Sequence, residues 1–188
     1  MKNLFKAVAF FGLLLSASVS NAQNQLVKLW ETDSVFKVPE SVLYHSKSKT
    51  LYVSNIDGEP GKKDQKGSIS KMSADGKVID NKWVTDISAP TGMCIFENTL
   101  YAADVNEVVA IDLKTGKVKQ KFPVKDAGFL NDITINKKGI IYVSDSRTGI
   151  IHQIDNGVVS VFLEKQDGIN GLLSIDDDLY ILLKGSLW

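Results

Sequence analysis

The sequence predicts an all-β protein, a β-propeller built from four-stranded blades. An aliphatic residue followed by tyrosine recurs at Tyr52, Tyr101, Tyr142 and Tyr180, with successive spacings of 49, 41 and 38 residues. Short apolar segments precede all four copies, and a further strand closed by a Gly turn follows the first three. A period near 40 residues with four short strands in each period is typical of a propeller blade.

The third repeat, residues 131–155, shows the strand pattern most clearly. Its runs ITI, IIYVS and GIIHQI are separated by turn sequences, and the last run ends at a predicted hairpin turn, Asn156-Gly157, as in a meander of short strands. Ile141 and Val143 alternate with Tyr142 and Ser144, which is the period of a strand rather than a helix. One such unit is too small to bury its own faces, so the repeats are expected to pack on one another.

The first 22 residues predict a signal peptide. Lys2 and Lys6 form a basic start, AVAFFGLLL is an apolar run too short to span a bilayer, and small residues end the segment at Ala22. Cleavage there would leave 23–188 as a single propeller domain in an exported protein, periplasmic or secreted. A retained membrane anchor is the alternative.

Composition excludes several partners of the mature domain. The whole chain has 22 Lys and Arg against 22 Asp and Glu, and loss of Lys2 and Lys6 would leave a formal charge of −2. This balance does not suit nucleic acid, and no apolar run beyond residue 22 is long enough for a membrane span. Cys94, the only cysteine, cannot form an internal disulfide and is predicted to be a core thiol.

The two ends of the predicted domain carry strands of their own. Residues 26–30, LVKLW, are expected to form a strand that pairs with the last blade and closes the ring. The sequence ends at GSLW, where a third strand of the fourth blade would begin. We therefore expect about 3.5 blades of a six-bladed ring, an incomplete copy of a longer protein; a naturally small open domain is the alternative.

Polar residues begin the innermost strand of each predicted blade. They are Glu40, Thr91, Asn131 and Asn170. Equivalent positions on blades related by rotation surround one mouth of the central channel. Carboxylate and amide oxygens are ligands for a hard divalent cation such as calcium or magnesium, so Glu40, Asn131 and Asn170 are the predicted metal ligands. The alternative is that these side chains only cap turns.

At these residues the sequence resembles the gluconolactonase and senescence-marker-protein family of six-bladed propellers. The segment PESVLYHSKSKTLYVSNIDG matches the family's first blade and its glutamate at Glu40, and LNDITINKKGIIYVSDS matches a middle blade and its asparagine at Asn131. The resemblance implies a lactonase that uses a divalent cation, namely calcium, magnesium, manganese or zinc. Propellers of the NHL-repeat kind share the same strand pattern.

The sequence departs from the family at Asn170, where the family has an aspartate that ligates the metal and acts as the general base. An amide can ligate a metal through its carbonyl but cannot accept the proton. Asp132, Asp145 and Asp104 are therefore the other candidate bases.

Two functions follow from these residues. One is an exported, metal-dependent hydrolase that acts on a sugar lactone or a similar small ester. The other is a non-catalytic, NHL-like propeller that binds a small ligand or a protein partner. The sequence has neither a G-x-S-x-G elbow nor an H-E-x-x-H motif, which excludes the commonest serine-hydrolase and zinc-protease arrangements.

The signal peptide gives a first testable prediction. Mass spectrometry of the protein from its native cell is expected to find Gln23 as the first residue, because small residues lie at the cleavage positions. Recovery of the chain from the cytoplasm with Met1 retained would contradict export.

Overall fold

The computed structural model describes residues 26–188, and these form four antiparallel sheets without a helix. Blade 1 contains β1 (Pro39–His45), β2 (Thr50–Asn55), β3 (Gly67–Ser73) and β4 (Val78–Ile87). Blade 2 contains β5 (Pro90–Phe96), β6 (Thr99–Asp104), β7 (Glu107–Asp112) and β8 (Val118–Pro123). Blade 3 contains β9 (Leu130–Ile135), β10 (Ile141–Asp145), β11 (Ile150–Asp155) and β12 (Val158–Leu163). Blade 4 contains β13 (Ile169–Ile175), β14 (Asp178–Leu183) and β15 (Ser186–Leu187).

The four sheets confirm the predicted β-propeller. Within each blade the strands pair in sequence order, and the first strand of each blade packs beside the first strand of the next. Strands β1, β5, β9 and β13 are therefore the inner strands that surround the channel. The predicted hairpin at Asn156-Gly157 is also present, with φ of 49° and 80°, since a tight two-residue turn requires positive φ at both positions.

The core of the protein lies between the blades. Tyr52 and Ile69 of blade 1 pack with Met93 and Leu100 of blade 2. Cys94 of blade 2 packs with Leu130 and Ile133 of blade 3, which confirms that Cys94 is a core residue. A smaller cluster joins blades 3 and 4 through Ile151, Ile169 and Leu172.

Two aspartates at the ends of second strands fasten the loops that lead into the inner strands. The Asp104 carboxylate accepts hydrogen bonds from the backbone N–H groups of Ser88 and Ala89, just before β5. The Asp145 carboxylate accepts them from Gly128 and Phe129, just before β9, at 2.6 and 2.9 Å. Both aspartates are almost completely buried, and they fix where the inner strands begin.

The segment that precedes blade 1 differs from its prediction. Residues 26–30 form no strand, and Leu26 is fully exposed. The segment is held to blade 1 by isolated contacts: Asn81 donates a side-chain hydrogen bond to the Val35 carbonyl, and Trp30 lies over Gly76. The predicted strand at 26–30 is wrong because apolar composition alone does not supply a partner strand.

Two further sequence-based expectations concern the membrane and the first residues. Residues 26–188 contain no helix long and apolar enough to cross a membrane. The predicted signal peptide, 1–22, lies outside the described residues.

The Asp145 network gives a prediction about stability. Asp145→Ala is expected to lower the free energy of unfolding by about 2–4 kcal/mol at neutral pH, because it leaves buried N–H groups without an acceptor and a hydrogen bond to a charged group contributes about 1.5–3 kcal/mol. The matched control is Asp155→Ala, an exposed position in the same blade, for which a change within about 0.5 kcal/mol is expected. Urea unfolding measures both.

The pH dependence of this effect follows from the pKa of Asp145. Burial alone would raise this pKa, but hydrogen bonds from Gly128, Phe129 and Thr148 outweigh burial and lower it. A lowered folded-state pKa stabilises the protein above the unfolded-state pKa of about 3.9, and the stabilisation is lost as pH falls through the folded value. The difference between wild type and Asp145→Ala should therefore shrink below about pH 4; a difference that stays constant there would contradict this role.

Candidate functional site

Each inner strand has a β-bulge at its second and third residues. In blade 1 the pairing with the second strand shifts between Pro39 and Ser41, and equivalent shifts occur in the other three blades. A bulge re-aims side chains and commonly lies beside a functional site. The bulges hold the residues that the sequence predicts for the channel mouth: Glu40, Thr91, Asn131 and Asn170.

Glu40 of blade 1 and Asp132 of blade 3 interact although they are far apart in sequence. Partial desolvation raises the pKa of the Glu40 carboxyl, and the negative charge of Asp132 raises it further. Because like charges oppose one another's ionisation, this effect places the two acidic groups, which come from different blades, within electrostatic range of one another. Glu40 itself is exposed.

Asp132 lies among the inner strands of blades 2, 3 and 4. Its carboxylate accepts hydrogen bonds from the backbone N–H groups of Ile133 at 2.9 Å and Leu172 at 2.7 Å. Burial raises the pKa of this carboxyl, and the two hydrogen bonds oppose that increase. The bond to Leu172 crosses from blade 3 to blade 4, a contact that the sequence does not predict.

A glycine on the neighbouring blade allows the inner strand of blade 3 to approach closely at Asp132. A Cβ atom at Gly92 would lie 2.6 Å from Oδ1 of Asp132 and 2.9 Å from its Cα. No side chain can occupy that position without moving the inner strand of blade 3. The sequence analysis did not identify Gly92 as a residue of the site. The signal that could have identified it is its position directly after Thr91, in the bulge of β5.

The side-chain oxygens of the three predicted metal ligands take part in no hydrogen bond within the part of the chain that the structure describes. Asn131 is half-buried, and Asn170 and Glu40 are exposed. Within residues 26–188, the side chains of these three residues form no hydrogen bond. The backbone carbonyl of Asn170 does accept one, from Ser144 Oγ. One carboxylate and two amide carbonyls are donors that suit a hard divalent cation.

The side chains that most often bind metals in proteins, those of His, Cys, Asp and Glu, do not form a cluster in the described part of the chain. Residues 26–188 contain no group of three or more His, Cys, Asp or Glu side chains placed to hold a metal ion. The predicted site differs from such a group because amides provide two of its three ligands.

Thr91 does not contribute to the mouth as predicted. Its side chain is buried, and its hydroxyl donates to the carbonyl oxygen of Leu130 at 3.1 Å, with the carbonyl oxygen of Ala103 at 3.4 Å as the alternative acceptor. The hydroxyl of Thr91 therefore joins blades 2 and 3, because a short β-branched side chain at the bulge reaches the backbone of the next inner strand.

The other candidate bases lie in different surroundings. The carboxylate oxygens of Asp104 and Asp145 accept backbone hydrogen bonds from the loops that precede β5 and β9. Burial raises the pKa of Asp104, and the hydrogen bonds from Ser88 and Ala89 oppose this increase. Only Asp132 among the three affects the ionisation of Glu40.

Comparison with known proteins identifies the fold of the chain. No protein-family model and no curated protein matches the sequence. Among solved structures the chain is similar to virginiamycin B lyase from Staphylococcus aureus, with a TM-score of 0.60 and 12% identity over 79% of this chain and 50% of that one. It is also similar to regucalcin, a calcium-binding protein from Agrobacterium tumefaciens, with a TM-score of 0.57 and 20% identity over 76% and 52% of the two chains.

A third similar structure is a luciferin-regenerating enzyme, with a TM-score of 0.58 and 17% identity over 76% of this chain and 52% of that one. The chain thus spans about half the length of the structures it matches. At these identities the similarity concerns the fold, and it agrees with the propeller predicted from the repeats.

The interaction between Glu40 and Asp132 can be tested by titration. Asp132→Asn removes a negative charge, so the pKa of Glu40 is expected to fall toward its ordinary value of 4.5. Carboxyl carbon chemical shifts measured by NMR across a pH series would report the change. The control is Asp177→Asn, an exposed change in a hairpin of blade 4, which should leave Glu40 unaffected; an equal shift in both variants would refute the pairing.

Proposed function

We propose that this chain is an exported, metal-dependent hydrolase of the gluconolactonase type, which acts on a sugar lactone or a similar small ester. The observation that carries the proposal is the placement of Glu40 and Asp132 at the bulged ends of the inner strands, where the charge of Asp132 acts on the ionisation of Glu40. One acidic group is available as a metal ligand and the other as a base. The similarity to regucalcin, a calcium-binding protein, and to a luciferin-regenerating enzyme supports this choice.

The proposed metal ligands are Glu40, Asn131 and Asn170. Their side-chain oxygens are hard donors and receive no hydrogen bond from residues 26–188, so a calcium, magnesium, manganese or zinc ion would not have to displace protein contacts. A divalent cation at these oxygens would polarise a carbonyl group and lower the pKa of a water molecule. Because the pKa of Glu40 is raised, protons should compete with the metal at a higher pH than at an ordinary glutamate.

Asp132 is the proposed general base. Its raised pKa makes it a stronger proton acceptor than an ordinary aspartate. The N–H groups of Ile133 and Leu172 fix the orientation of the carboxylate, while each oxygen keeps a second lone pair to accept a proton. The role that the family gives to an aspartate at the position of Asn170 would thus pass to a residue on the neighbouring blade.

Metal binding gives the first test of this proposal. Calorimetric titration with calcium, magnesium, manganese and zinc should show binding by wild type, and Glu40→Gln should weaken it at least about tenfold, since even groups that only support a ligand typically contribute 10–100-fold. Asn170→Asp adds a carboxylate and should strengthen binding. The control Glu97→Gln makes the same change at the opposite end of an inner strand, and equal affinity in Glu40→Gln and Glu97→Gln would exclude this site.

Turnover gives the second test. Asp132→Asn should retain metal binding but lose about 100- to 10,000-fold in lactone hydrolysis, the usual contribution of a positioned base. A different outcome would favour the alternative of a propeller that binds a small ligand or a protein partner. In that outcome wild type binds metal without turnover, and Asn170→Asp gains turnover.

A further inference from the structure

Asn170 and Gly171 form an Asn-Gly pair in the bulge of β13. The register of β13 with β14 shifts between Ile169 and Leu172, so the two residues that lie between them have no partners in the ladder. Because a glycine has no Cβ atom, the side-chain amide of Asn170 can approach the backbone nitrogen of Gly171 without a steric obstacle. These are the two groups that react when an asparagine loses ammonia and becomes an aspartate.

A serine on the second strand binds the corresponding N–H group in blades 1 and 3. In blade 1 the N–H of Ser41 donates to Ser54 Oγ at 3.0 Å, and in blade 3 the N–H of Asp132 donates to Ser144 Oγ at 3.0 Å. Both N–H groups belong to the residue after the polar one that begins the inner strand, and both serines lie two residues after the tyrosine of their repeat.

Blade 4 lacks this serine. The residue two positions after Tyr180 is Leu182, whose side chain has no hydroxyl group to accept a hydrogen bond. The Cβ atom of Leu182 lies 3.5 Å from the position that a Cβ atom would take at Gly171, so the two residues are adjacent. The N–H of Gly171 is therefore left without the side-chain acceptor that blades 1 and 3 provide.

The amide and the carbonyl group of Asn170 also favour reaction. The side-chain amide takes part in no hydrogen bond within residues 26–188, whereas the backbone carbonyl accepts one from Ser144 Oγ at 2.8 Å. This carbonyl and the nitrogen of Gly171 belong to the same peptide group. The hydrogen bond from Ser144 thus stabilises the negative charge that develops when that nitrogen loses its proton.

The chain contains one other Asn-Gly pair, at Asn156 and Gly157. Asn156 lies in a tight turn with φ of 49°, and its side-chain amide donates a hydrogen bond to Asp155 Oδ1 at 3.0 Å. It therefore provides an internal reference, because the dipeptide is the same but the amide is already engaged.

We propose that Asn170 is a site of self-modification, at which the backbone nitrogen of Gly171 converts the side-chain amide to a carboxylate. The nitrogen gives up its proton to water and forms a bond to Cγ of Asn170. The bond from Cγ to Nδ2 breaks, and Nδ2 takes up a proton and leaves as ammonia. A water molecule then opens the resulting cyclic imide at Cγ, which restores the backbone and leaves an aspartate at position 170.

Hydrogen bonds to blade 3 favour opening of the imide at Cγ. Opening at the other carbonyl would give isoaspartate, whose backbone is longer by one carbon atom. That insertion would displace Leu172 and Ser174, whose N–H groups donate to Asp132 Oδ2 at 2.7 Å and to Thr134 Oγ1 at 2.9 Å. Both bonds are kept in the product that has the normal backbone.

The conversion does not depend on the proposed hydrolase activity, but its effect on metal binding rests on the proposed function. It would add a second carboxylate to the ligand set of Glu40, Asn131 and Asn170. The number of charged ligands is one of the factors that set the affinity of a calcium site. The amide is thus the newly synthesised form of the site, and the carboxylate is its mature form.

Peptide mapping by mass spectrometry tests the conversion. Freshly synthesised protein is compared with protein aged at neutral pH, and electron-transfer fragmentation separates aspartate from isoaspartate. Aspartate is expected to accumulate at position 170 before any change appears at Asn156. Unchanged Asn170 in the aged protein, earlier conversion of Asn156, or isoaspartate as the main product at position 170 would each overturn the proposal.

Leu182→Ser tests the role of the missing acceptor. It supplies the hydroxyl group that blades 1 and 3 have, so conversion of Asn170 should slow about fivefold, the factor that corresponds to a hydrogen bond of about 1 kcal/mol. The control Leu163→Ser makes the same change on the outermost strand of blade 3 and should react at the wild-type rate. Circular dichroism checks that both variants are folded. Equal rates in folded Leu182→Ser and wild type would overturn the proposal.

A measurement in urea keeps the proposal testable even if Leu182→Ser does not fold. Unfolding removes the contacts that distinguish the two Asn-Gly pairs, so Asn170 and Asn156 of wild type should then react at similar rates. A preference for Asn170 that is as large in urea as in water would show that the structure is not its cause, and it would overturn the proposal.

Calorimetric titration with calcium separates this proposal from the proposed function. Aged wild type should bind calcium as Asn170→Asp does, and more tightly than aged Gly171→Ala, in which the added methyl group hinders the attack. If aspartate accumulates at position 170 but none of the three proteins binds calcium, the conversion is supported and the metal-dependent hydrolase is refuted. If converted wild type and unconverted Gly171→Ala bind calcium equally, the role of the new carboxylate in the metal site is overturned.

Discussion

The structure depends on the burial of both faces of each inner strand. Met93 and Cys94 are adjacent on β5 and belong to the cores on opposite sides of blade 2. A single sheet cannot bury both, because its own strands lie in one layer. The requirement for a neighbour on each side positions the inner strands around an axis, and their bulged ends bring Glu40 and Asp132 within electrostatic reach.

The fold could be predicted because blade structure is local. Each blade is a meander in which strands pair in chain order, so the aliphatic-tyrosine pairs and the turn at Asn156-Gly157 fix strands and hairpins without knowledge of distant residues. The segment 26–30 could not be predicted in this way. A strand needs a partner edge as well as apolar residues, and the composition of LVKLW does not reveal whether one is available.

The strand positions of the predicted ligands could be derived from the sequence, but the contacts of the side chains around them could not. Equivalence among the repeats predicted that Glu40, Asn131 and Asn170 begin inner strands. It did not predict that the hydroxyl of Thr91 bonds to the backbone of blade 3, or that Asp145 accepts hydrogen bonds from the loop before β9. These roles depend on which backbone groups lie within about 3 Å of each side chain, and repeat spacing carries no such information.

The bond from Leu172 to Asp132 has a consequence for how the molecule responds to disturbance. Blade 4 is tied to blade 3 by this bond, by Ser174 N–H to Thr134 Oγ1, and by Ser144 Oγ to the Asn170 carbonyl. Stability in repeat architectures is approximately a sum of unit terms and nearest-neighbour terms. The three bonds are such nearest-neighbour terms, and the Asp132 carboxylate that belongs to the proposed site also takes part in one of them. If a ligand binds at the proposed site and orders Asp132, it would also stabilise the packing of blade 4 on blade 3, and binding would then be seen as slower local opening of blade 4.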